Sequence, residues 1–264
     1  MLPKLSIIIP CYNSESTLEE TLISVRDQVF ENWEAIIVND GSLDNLEAIA
    51  LHWMARDTRF KYFKKENGGL GNARNFGIEK AKGAYILPLD SDNKVKPQFT
   101  KKAIAILDTD PNVGVVHGNA LYFGEKQGIW EVDSFDFERM LLQNYIDACA
   151  VYRKSLWKEI GGYDTQMPYQ GNEDWELWLA MGAKNIGFKH LDELTFDYRF
   201  SKDSMIRSFS SEMFTANKDY IRKKYSEHYF LFFKKNYKTL ARYHENPRKT
   251  TFFFLKKWVK TFIK

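Results

Sequence analysis

The first hundred residues alternate between short apolar, β-branched runs and amphipathic stretches. The apolar runs lie at 5–9, 35–38, 60–64 and 84–89, and the helical patterns lie at 15–29, 44–56 and 72–81. Strands that alternate with helices pair in parallel and are covered on both faces, so they read as nearly unbroken apolar runs. The pattern predicts an α/β domain with a Rossmann-like, mostly parallel sheet and helices on both faces.

Polar side chains follow the ends of three of these strands. They are Tyr12, Asp40 and the acidic triplet Asp90-Ser91-Asp92. Ligands of α/β sheets bind beyond the carboxyl ends of the strands, so we expect these residues at one edge. Two carboxylates two residues apart suit Mg²⁺, which protein carboxylates commonly hold together with substrate phosphates. Asp and Ser also favour turns, so a solvated turn is the alternative for the triplet.

A glycine-rich loop at 67–75 leads into the third helical stretch and carries Arg74. Only Gly69 and Gly71 fit the spacing of a dinucleotide-binding fingerprint, and the loop follows the third strand rather than the first. A hydride-transfer enzyme is therefore a poor fit. Arg74 is expected either to offer planar donors to a base carbonyl or a phosphate, or to form a surface salt bridge.

Composition predicts one substantial domain and an appendage. The chain has 264 residues, 44% of them hydrophobic, which is enough to bury a core. We expect a mixed region of short strands and helices from 113 to 200, and helical structure from there to the end. Cys11 and Cys149 give neither a disulfide framework nor a zinc spacing, which favours a reducing cytosol. With no signal peptide and no long apolar run, a cytoplasmic protein is expected.

Charge is distributed unevenly along the chain. Residues 221–264 hold 13 Lys or Arg against 2 acidic residues (+11), and residues 1–220 hold 25 against 33 (−8). Large apolar residues of the tail fall on one helical face: Phe252, Leu255, Trp258, Val259, Phe262 and Ile263. A basic amphipathic helix predicts peripheral binding to an anionic membrane surface, with packing onto the domain as the alternative. No nucleic-acid-binding motif accompanies the charge, so nucleic acid is not an expected partner.

Five short motifs follow one another along the chain. They are Ser-Ile-Ile-Ile-Pro-Cys-Tyr-Asn at 6–13, Val-Asn-Asp-Gly-Ser at 38–42, Gly-Asn-Ala-Arg-Asn-x-Gly at 71–77, Leu-Asp-Ser-Asp at 89–92 and Asn-Glu-Asp-Trp-Glu-Leu-Trp at 172–178. In this order they resemble the family 2 glycosyltransferases of GT-A fold, and the resemblance is collinear over roughly 4–205. It implies an inverting enzyme that takes sugar from a nucleoside diphosphate sugar with Mn²⁺ or Mg²⁺.

The resemblance also implies a role for each matched position of the nucleotide-sugar half, about 1–115. Four residues would surround the base: Pro10 and Tyr12 flanking it, Asp40 on its N3–H, and Arg74 on a carbonyl. Asp90 would contact the ribose or the metal. Asp92 would be the metal ligand.

Glu173 and Asp174 suit the chemistry of inversion. A carboxylate has to remove the proton of the acceptor hydroxyl while that oxygen attacks opposite the departing diphosphate. By resemblance Asp174 is the catalytic base and Glu173 orients the acceptor or the base. Trp175 and Trp178 could offer a platform for sugar faces, although the spacing of Trp178 favours core packing. A helix N-terminus capped by Asn172 explains the same acidic residues structurally, and both interpretations can hold together.

The chain departs from the family after its last expected strand. Many members have a Tyr-Arg-x-His segment there, whose histidine contacts the metal or the diphosphate, whereas this chain has Tyr-Arg-Phe-Ser-Lys at 198–202. Since the histidine is missing, we expect Arg199 or Lys202 to supply positive charge to the diphosphate.

The sequence therefore predicts a glycosyltransferase domain over 1–205, with its acceptor half at about 116–205, and a helical, basic, aromatic-rich extension over 206–264. The expected reaction moves one sugar from a nucleoside diphosphate sugar, with UDP favoured, to a hydroxyl of a glycan or lipid-linked glycan. A catalytically silent sugar-nucleotide-binding scaffold and a nucleotidyltransferase are the alternatives.

Overall fold

The structure is a computed structural model that describes residues 2–202 and 204–245. The strands of this part are β1 Leu5–Cys11, β2 Trp33–Asp40, β3 Phe60–Lys65, β4 Tyr85–Pro88, β5 Lys94–Val95, β6 Val113–Gly124, β7 Gly128–Trp130, β8 Val151–Arg153 and β9 Gly187–Phe200. Its helices are α1 Glu15–Arg26, α2 Leu46–Arg56, α3 Leu70–Lys80, α4 Phe99–Thr109, α5 Phe137–Leu142, α6 Lys154–Ile160, α7 Glu173–Ala183, α8 Ser211–Lys224 and α9 Ser226–Glu245, with a 3₁₀ turn at Met205–Ser208.

The first half of the sheet is parallel, in the order β3-β2-β1-β4. Every residue of β1 and β2 is buried, as expected for strands covered on both faces. Ile7 and Ile9 pack in one cluster with Leu18 of α1, whereas Ile8 faces α3. A Cβ at Gly77 would lie 2.6 Å from Ile8 Cγ2, so glycine permits the close approach of α3. The predicted α/β class is confirmed.

The second half of the sheet mixes parallel and antiparallel pairs. β8 is antiparallel to β4 and to β6, and β6 is parallel to β9. The short strands expected between 113 and 200 are present as β7 and β8, of 3 residues each, but β6 spans 12 residues and β9 spans 14, so for these two the expectation is wrong. The register of this pair shifts around Gly118 and Asn119, where small and polar residues interrupt the apolar run. Because β8 pairs with β4, the segment leading into β8 lies beside the residues that follow β4.

The boundary between two compact units falls within helix α8: the first unit ends at Tyr220 and the second begins at Ile221. The first unit, which holds the strand ends, therefore includes residues beyond 205, the predicted end of the domain. The amphipathic face predicted to bind membranes falls within 246–264, outside the described residues. None of the helices described for 2–202 and 204–245 combines the length and apolar content that crossing a bilayer requires.

Candidate active site

Three strand ends at one edge of the sheet carry the residues predicted for the nucleotide half. β1 leads into Tyr12, β2 ends at Asp40, and β4 leads into Asp90. The parallel registers of β1 with β2 and with β4 bring these strand ends level. The expected edge is therefore present, and the roles of its residues stay predictions.

The acidic triplet forms a turn that α1 holds in place. Asn93 N donates to Asp90 O over 3.0 Å. The Thr17 hydroxyl donates to the carbonyl of Ser91 (2.9 Å), and the Thr21 hydroxyl donates to the carbonyl of Asn93 (2.8 Å). These bonds use the backbone of the turn, so its carboxylates stay available to the site. The two expectations for this segment, a turn and a ligand site, are compatible.

Asp40 fastens the glycine-rich loop. Its Oδ1 accepts from Lys65 Nζ (2.6 Å) and from Gly68 N (3.0 Å), and its Oδ2 accepts from Gly69 N (2.8 Å). A carboxylate has about four lone-pair positions, so one remains for a further donor. Asp40 can therefore accept the predicted bond from a base N3–H while it also holds the loop.

Tyr12 presents an open aromatic surface at the same edge. Its side chain is 53% exposed, whereas Pro10 lies buried within β1. The next residue, Asn13, has a φ of 50° and ties the loop to the end of β2 through hydrogen bonds with Ser42 and Leu43. The Tyr12 ring is thus held on a fixed loop and is free to flank a base.

Arg74 links the two halves of the site. It is only 2% exposed, its terminal nitrogens donate to Asp90 Oδ1 (2.6 Å) and Glu173 Oε1 (3.2 Å), and its guanidinium lies 5.4 Å from the Tyr163 ring centre. Burial acts to lower the pKa of Arg74, but the surrounding carboxylates raise it well above its usual range, so Arg74 stays charged. The surface salt bridge considered for Arg74 is in fact a buried one, and its contact with a base carbonyl stays a prediction.

Glu173 and Asp174 begin helix α7. Glu173 Oε2 accepts from Gly171 N (2.6 Å), which together with Arg74 occupies both of its oxygens. Asp174 accepts from Trp175 N (2.8 Å) and from Asn144 Nδ2 (3.0 Å). Burial and the charge of Glu173 raise the pKa of Asp174 to about 7, against the opposing effect of Arg74. Glu173 is thus held by Arg74 and Gly171, and Asp174 has a raised pKa; the roles of Glu173 in orienting the acceptor or the base and of Asp174 as the base stay predictions.

The capping role expected of Asn172 is only half right. Asn172 occupies the N-cap position of α7, but its side chain makes no capping bond to the helix. Its Oδ1 accepts instead from Asn217 Nδ2 of α8 (2.9 Å). The acidic first turn, with Glu173, Asp174 and Glu176, still complements the positive end of the helix dipole.

Asp147 belongs to the site and was missed by the sequence analysis. It lies in the segment before β8, where its Oδ1 accepts from Cys149 N (2.8 Å). Burial first, and then the charge of Asp90, raise the pKa of Asp147 well above the usual range, with Asp174 adding to the effect. The residue stands alone in an irregular stretch and belongs to no motif, so only the pairing of β8 with β4 reveals its position.

The chemistry of Asp90 and Asp92 fits a divalent cation. Burial and the charge of Asp90 raise the pKa of Asp92 to about 6, so this carboxylate lies where a cation would stabilise its ionised form. Throughout the described residues we find no group of three or more His, Cys, Asp or Glu side chains placed to hold a metal. Two carboxylates completed by phosphate oxygens and water are the ligands that Mg²⁺ commonly has.

Three further predicted residues occupy different surroundings. Trp175 is only 4% exposed and its indole donates to Met140 O (2.6 Å), so the prediction of a sugar platform is wrong: its ring packs in the interior. Arg199 lies beside the triplet, where Nε donates to Asp92 O (3.1 Å) and NH2 pairs with Glu20 (3.0 Å). Lys202 is exposed, and its backbone N donates to Glu125 (2.9 Å).

The profile of the family described as Glycosyl transferase family 2 matches residues 6–161. The chain belongs to glycosyltransferase family 2. The match includes the strand ends at Tyr12, Asp40 and Asp90–Asp92 and stops before Glu173, so the acceptor half is matched only in part.

Relatives in other organisms agree with this assignment to family 2. An uncharacterised glycosyltransferase of Rickettsia typhi is 33% identical over 201 residues, which cover 71% of this chain and 62% of the relative. The putative glycosyltransferase EpsH of Bacillus subtilis is 41% identical over 102 residues, which cover 39% of this chain and 30% of the relative. The chain spans less than two thirds of the length of these relatives.

Solved structures share the fold of this family 2 chain. TarS of S. aureus in complex with UDP-GlcNAc superposes with a TM-score of 0.65 at 22% identity, covering 81% of this chain and 64% of TarS. The mannosyltransferase PcManGT of Pyrobaculum calidifontis in complex with GDP-Man and Mn²⁺ gives 0.60 at 18% identity, covering 77% and 59%. The predicted GT-A fold is confirmed.

Proposed function

We propose that this chain is an inverting glycosyltransferase that moves one sugar from a nucleoside diphosphate sugar to a hydroxyl of a glycan or lipid-linked glycan. One observation carries the proposal: Arg74 is bonded at once to Asp90, after β4, and to Glu173, at the start of α7. The buried guanidinium of Arg74 thereby connects Asp90, which is suited to bind a metal ion with a diphosphate, to the first turn of α7, which carries the proposed base.

The donor binds at the strand ends of the parallel half. Tyr12 flanks the base, and Asp40 accepts from the base N3–H with the lone pair left by its three internal bonds. An N3–H is present in uracil and in thymine, so this contact suits both bases. We favour uracil, hence a UDP-sugar, because TarS, which superposes with the higher TM-score of the two neighbours, was solved with UDP-GlcNAc. The structural neighbours support a nucleotide sugar as donor, since TarS was solved with UDP-GlcNAc and PcManGT with GDP-Man.

Asp90 and Asp92 are the residues that would hold Mn²⁺ or Mg²⁺. The bound cation would stabilise the negative charge that develops on the departing diphosphate. Arg199, fixed by Glu20 and by the carbonyl of Asp92, adds positive charge at the same turn. The permanently charged Arg74 keeps Asp90 oriented.

Asp174 accepts the proton of the acceptor hydroxyl. A carboxylate with a pKa of about 7 is partly ionised at neutral pH and is a stronger base than an ordinary Asp. Its two oxygens each accept one bond, from Trp175 N and Asn144 Nδ2, so each keeps a lone pair for the proton. The acceptor oxygen then attacks the anomeric carbon from the side opposite the diphosphate, which inverts its configuration.

A thermal-shift panel tests the proposal. UDP, GDP, UDP-GlcNAc and GDP-mannose are each added with and without Mn²⁺, since a ligand at 100 times its Kd stabilises the folded state by about 2.7 kcal/mol. We expect uridine compounds to raise the Tm, and to do so much more with Mn²⁺. A Tm that no nucleotide changes, with or without the metal, contradicts donor binding.

Turnover is the second arm of the test. We expect the wild-type chain to release UDP from UDP-GlcNAc while the sugar is transferred to water or to a hydroxyl of a glycan acceptor. Binding without turnover of any donor would instead favour the catalytically silent sugar-nucleotide-binding scaffold.

A further inference from the structure

Helix α8 reaches the site through one buried amide, Asn217. Its side chain is 0% exposed, although the helix lies beyond the residues that the family profile matches. Asn217 Oδ1 accepts from Tyr169 N (3.0 Å), and Nδ2 donates to Tyr169 O (2.9 Å) and to Asn172 Oδ1 (2.9 Å). The Asn217 amide thus accepts one hydrogen bond from the loop before α7 and donates two to it. Its pair of bonds with Tyr169 N and O resembles the pairing of two neighbouring β-strands.

The same loop, residues 161–172, is bonded at further points. Tyr220 of α8 donates its hydroxyl to Asp164 Oδ2 (2.8 Å). Gln170 Oε1 accepts from Leu70 N (2.5 Å) at the start of α3. Asn75 of α3 accepts from Tyr163 N (2.8 Å) and donates to Tyr163 O (2.8 Å). Hydrogen bonds from both α3 and α8 therefore hold this loop.

The end of this loop sets where Glu173 and Asp174 lie. Asn172 directly precedes them, and its side chain makes no bond to helix α7, so α7 does not fix that side chain. Asn217 supplies the missing restraint, and Gly171 N in turn donates to Glu173 Oε2 (2.6 Å). A shift of the loop would move Asp174 relative to Asp90.

We infer that Asn217 is a positioning residue for the transfer reaction: it ties α8 to the loop before α7 and so fixes the proposed base, Asp174, opposite the donor. The inference rests on the proposed function, and it adds α8 to the machinery of the site. Donor binding at β1, β2 and β4 does not depend on this bond.

The test compares Asn217→Asp with the wild-type chain. The substitution keeps the size of the side chain but replaces two donors by an acceptor that faces Tyr169 O and Asn172 Oδ1. We expect kcat for UDP release from UDP-GlcNAc to fall by about 10²-fold, a loss that a misplacement of about 1 Å can produce. KM and Kd for the donor should stay within about twofold of wild type, because the strand-end loops are unchanged.

A matched control makes the same atomic change elsewhere. Asn112 is exposed, and Asn112→Asp should leave kcat, KM and loop dynamics as in wild type. Tyr220→Phe removes only the hydroxyl bonded to Asp164 and should lower kcat in the same direction by a smaller factor. This second variant keeps the inference testable if Asn217→Asp does not fold.

Amide hydrogen exchange gives a readout that does not depend on activity. Residues 163–172 should exchange faster in Asn217→Asp, whereas β1 and β2 should keep their wild-type protection. Unchanged kcat together with unchanged exchange in both variants overturns the inference. A wild-type chain that releases no nucleotide from any sugar nucleotide tested contradicts the proposed function instead, and the exchange data then still decide whether Asn217 fixes the loop.

Discussion

Asp40 and Asp90 on the nucleotide side, and Asp174 on the acceptor side, are held in place by different means. The first two follow buried parallel strands whose backbone registers bring their ends level. Asp174 depends on side-chain bonds between distant segments, from Asn144 before β8 and, through Asn172, from Asn217 of α8. The parallel strands therefore place the residues proposed to bind the nucleotide, whereas side-chain hydrogen bonds place the proposed base.

This difference separates binding from turnover. Single substitutions in the acceptor half should change the rate of transfer while the affinity for the donor persists. Changes at the strand ends should remove donor binding itself. Arg74 is the exception, since it contacts both halves.

Asp174→Asn tests whether turnover can be lost while donor binding persists, and its expected effect is the largest. The amide keeps the shape of the side chain but cannot take the acceptor proton, so turnover should fall by about 10²–10⁴-fold. The Kd for UDP with Mn²⁺, measured by calorimetry, should stay near the wild-type value. Turnover close to wild type would remove Asp174 from the role of base.

Arg74→Met should remove the link between Asp90 and Glu173 and destabilise the folded state. It leaves Asp90 and Glu173 without their shared cation, and removing one partner of a buried pair costs about 3–5 kcal/mol of the free energy of unfolding. Urea denaturation monitored by circular dichroism measures this loss. Lys4→Met, which removes an exposed partner of Asp108, is the control and should cost at most about 1 kcal/mol. Equal losses in the two variants would contradict the linking role of Arg74.

Asp92→Ala tests whether this carboxylate binds the cation. Removing this carboxylate should abolish the gain in UDP affinity that Mn²⁺ produces, while Asn217-dependent loop protection stays unchanged. Calorimetric titration of UDP with and without Mn²⁺ measures the effect. An affinity that Mn²⁺ raises as much as in wild type shows that Asp92 does not bind the cation.

At saturating Mn²⁺, which should keep Asp92 ionised although its pKa is otherwise about 6, the pH dependence of turnover should report Asp174. Because its pKa is raised to about 7, turnover should rise with pH up to about 7 and level off above it. The native state also retains a proton that the unfolded chain releases at lower pH. The contribution of Asp174 to stability is therefore full at low pH and is lost as pH rises to about 7. A rate that does not change between pH 5.5 and 8 is the contrary result.

Deleting residues 246–264 should have the smallest effect on either half of the site. The deletion removes six Lys or Arg, each of which adds about 1 kcal/mol near an anionic surface, so binding to phosphatidylserine vesicles should weaken. Turnover with a soluble donor should not change. Complete sedimentation of the truncated chain with the vesicles would end the membrane proposal.

The same contrast explains what could be predicted from the sequence. Tyr12, Asp40 and Asp90 follow apolar runs, so periodicity alone places them at one edge of a sheet. Asp147 and Asn217 stand in segments without such a pattern, and their partners lie far away in sequence. Their roles depend on tertiary contacts that a linear pattern does not contain.

Two errors have the same origin. The sequence favours Trp175 as a sugar platform, but its ring is buried and its indole donates to the carbonyl of Met140. The length of β6 and β9 was hidden by the polar and glycine residues that interrupt them. In both cases long-range packing decided what local chemistry left open.

We propose that one cation-bound diphosphate lies between the strand ends and the start of α7. A crystal soaked with UDP and Mn²⁺ tests it most directly. We predict Mn²⁺ on Asp92 or Asp90, the uracil ring against Tyr12, and the open side of the diphosphate facing Asp174. UDP bound elsewhere, or Asp174 turned away from the diphosphate, would contradict the account.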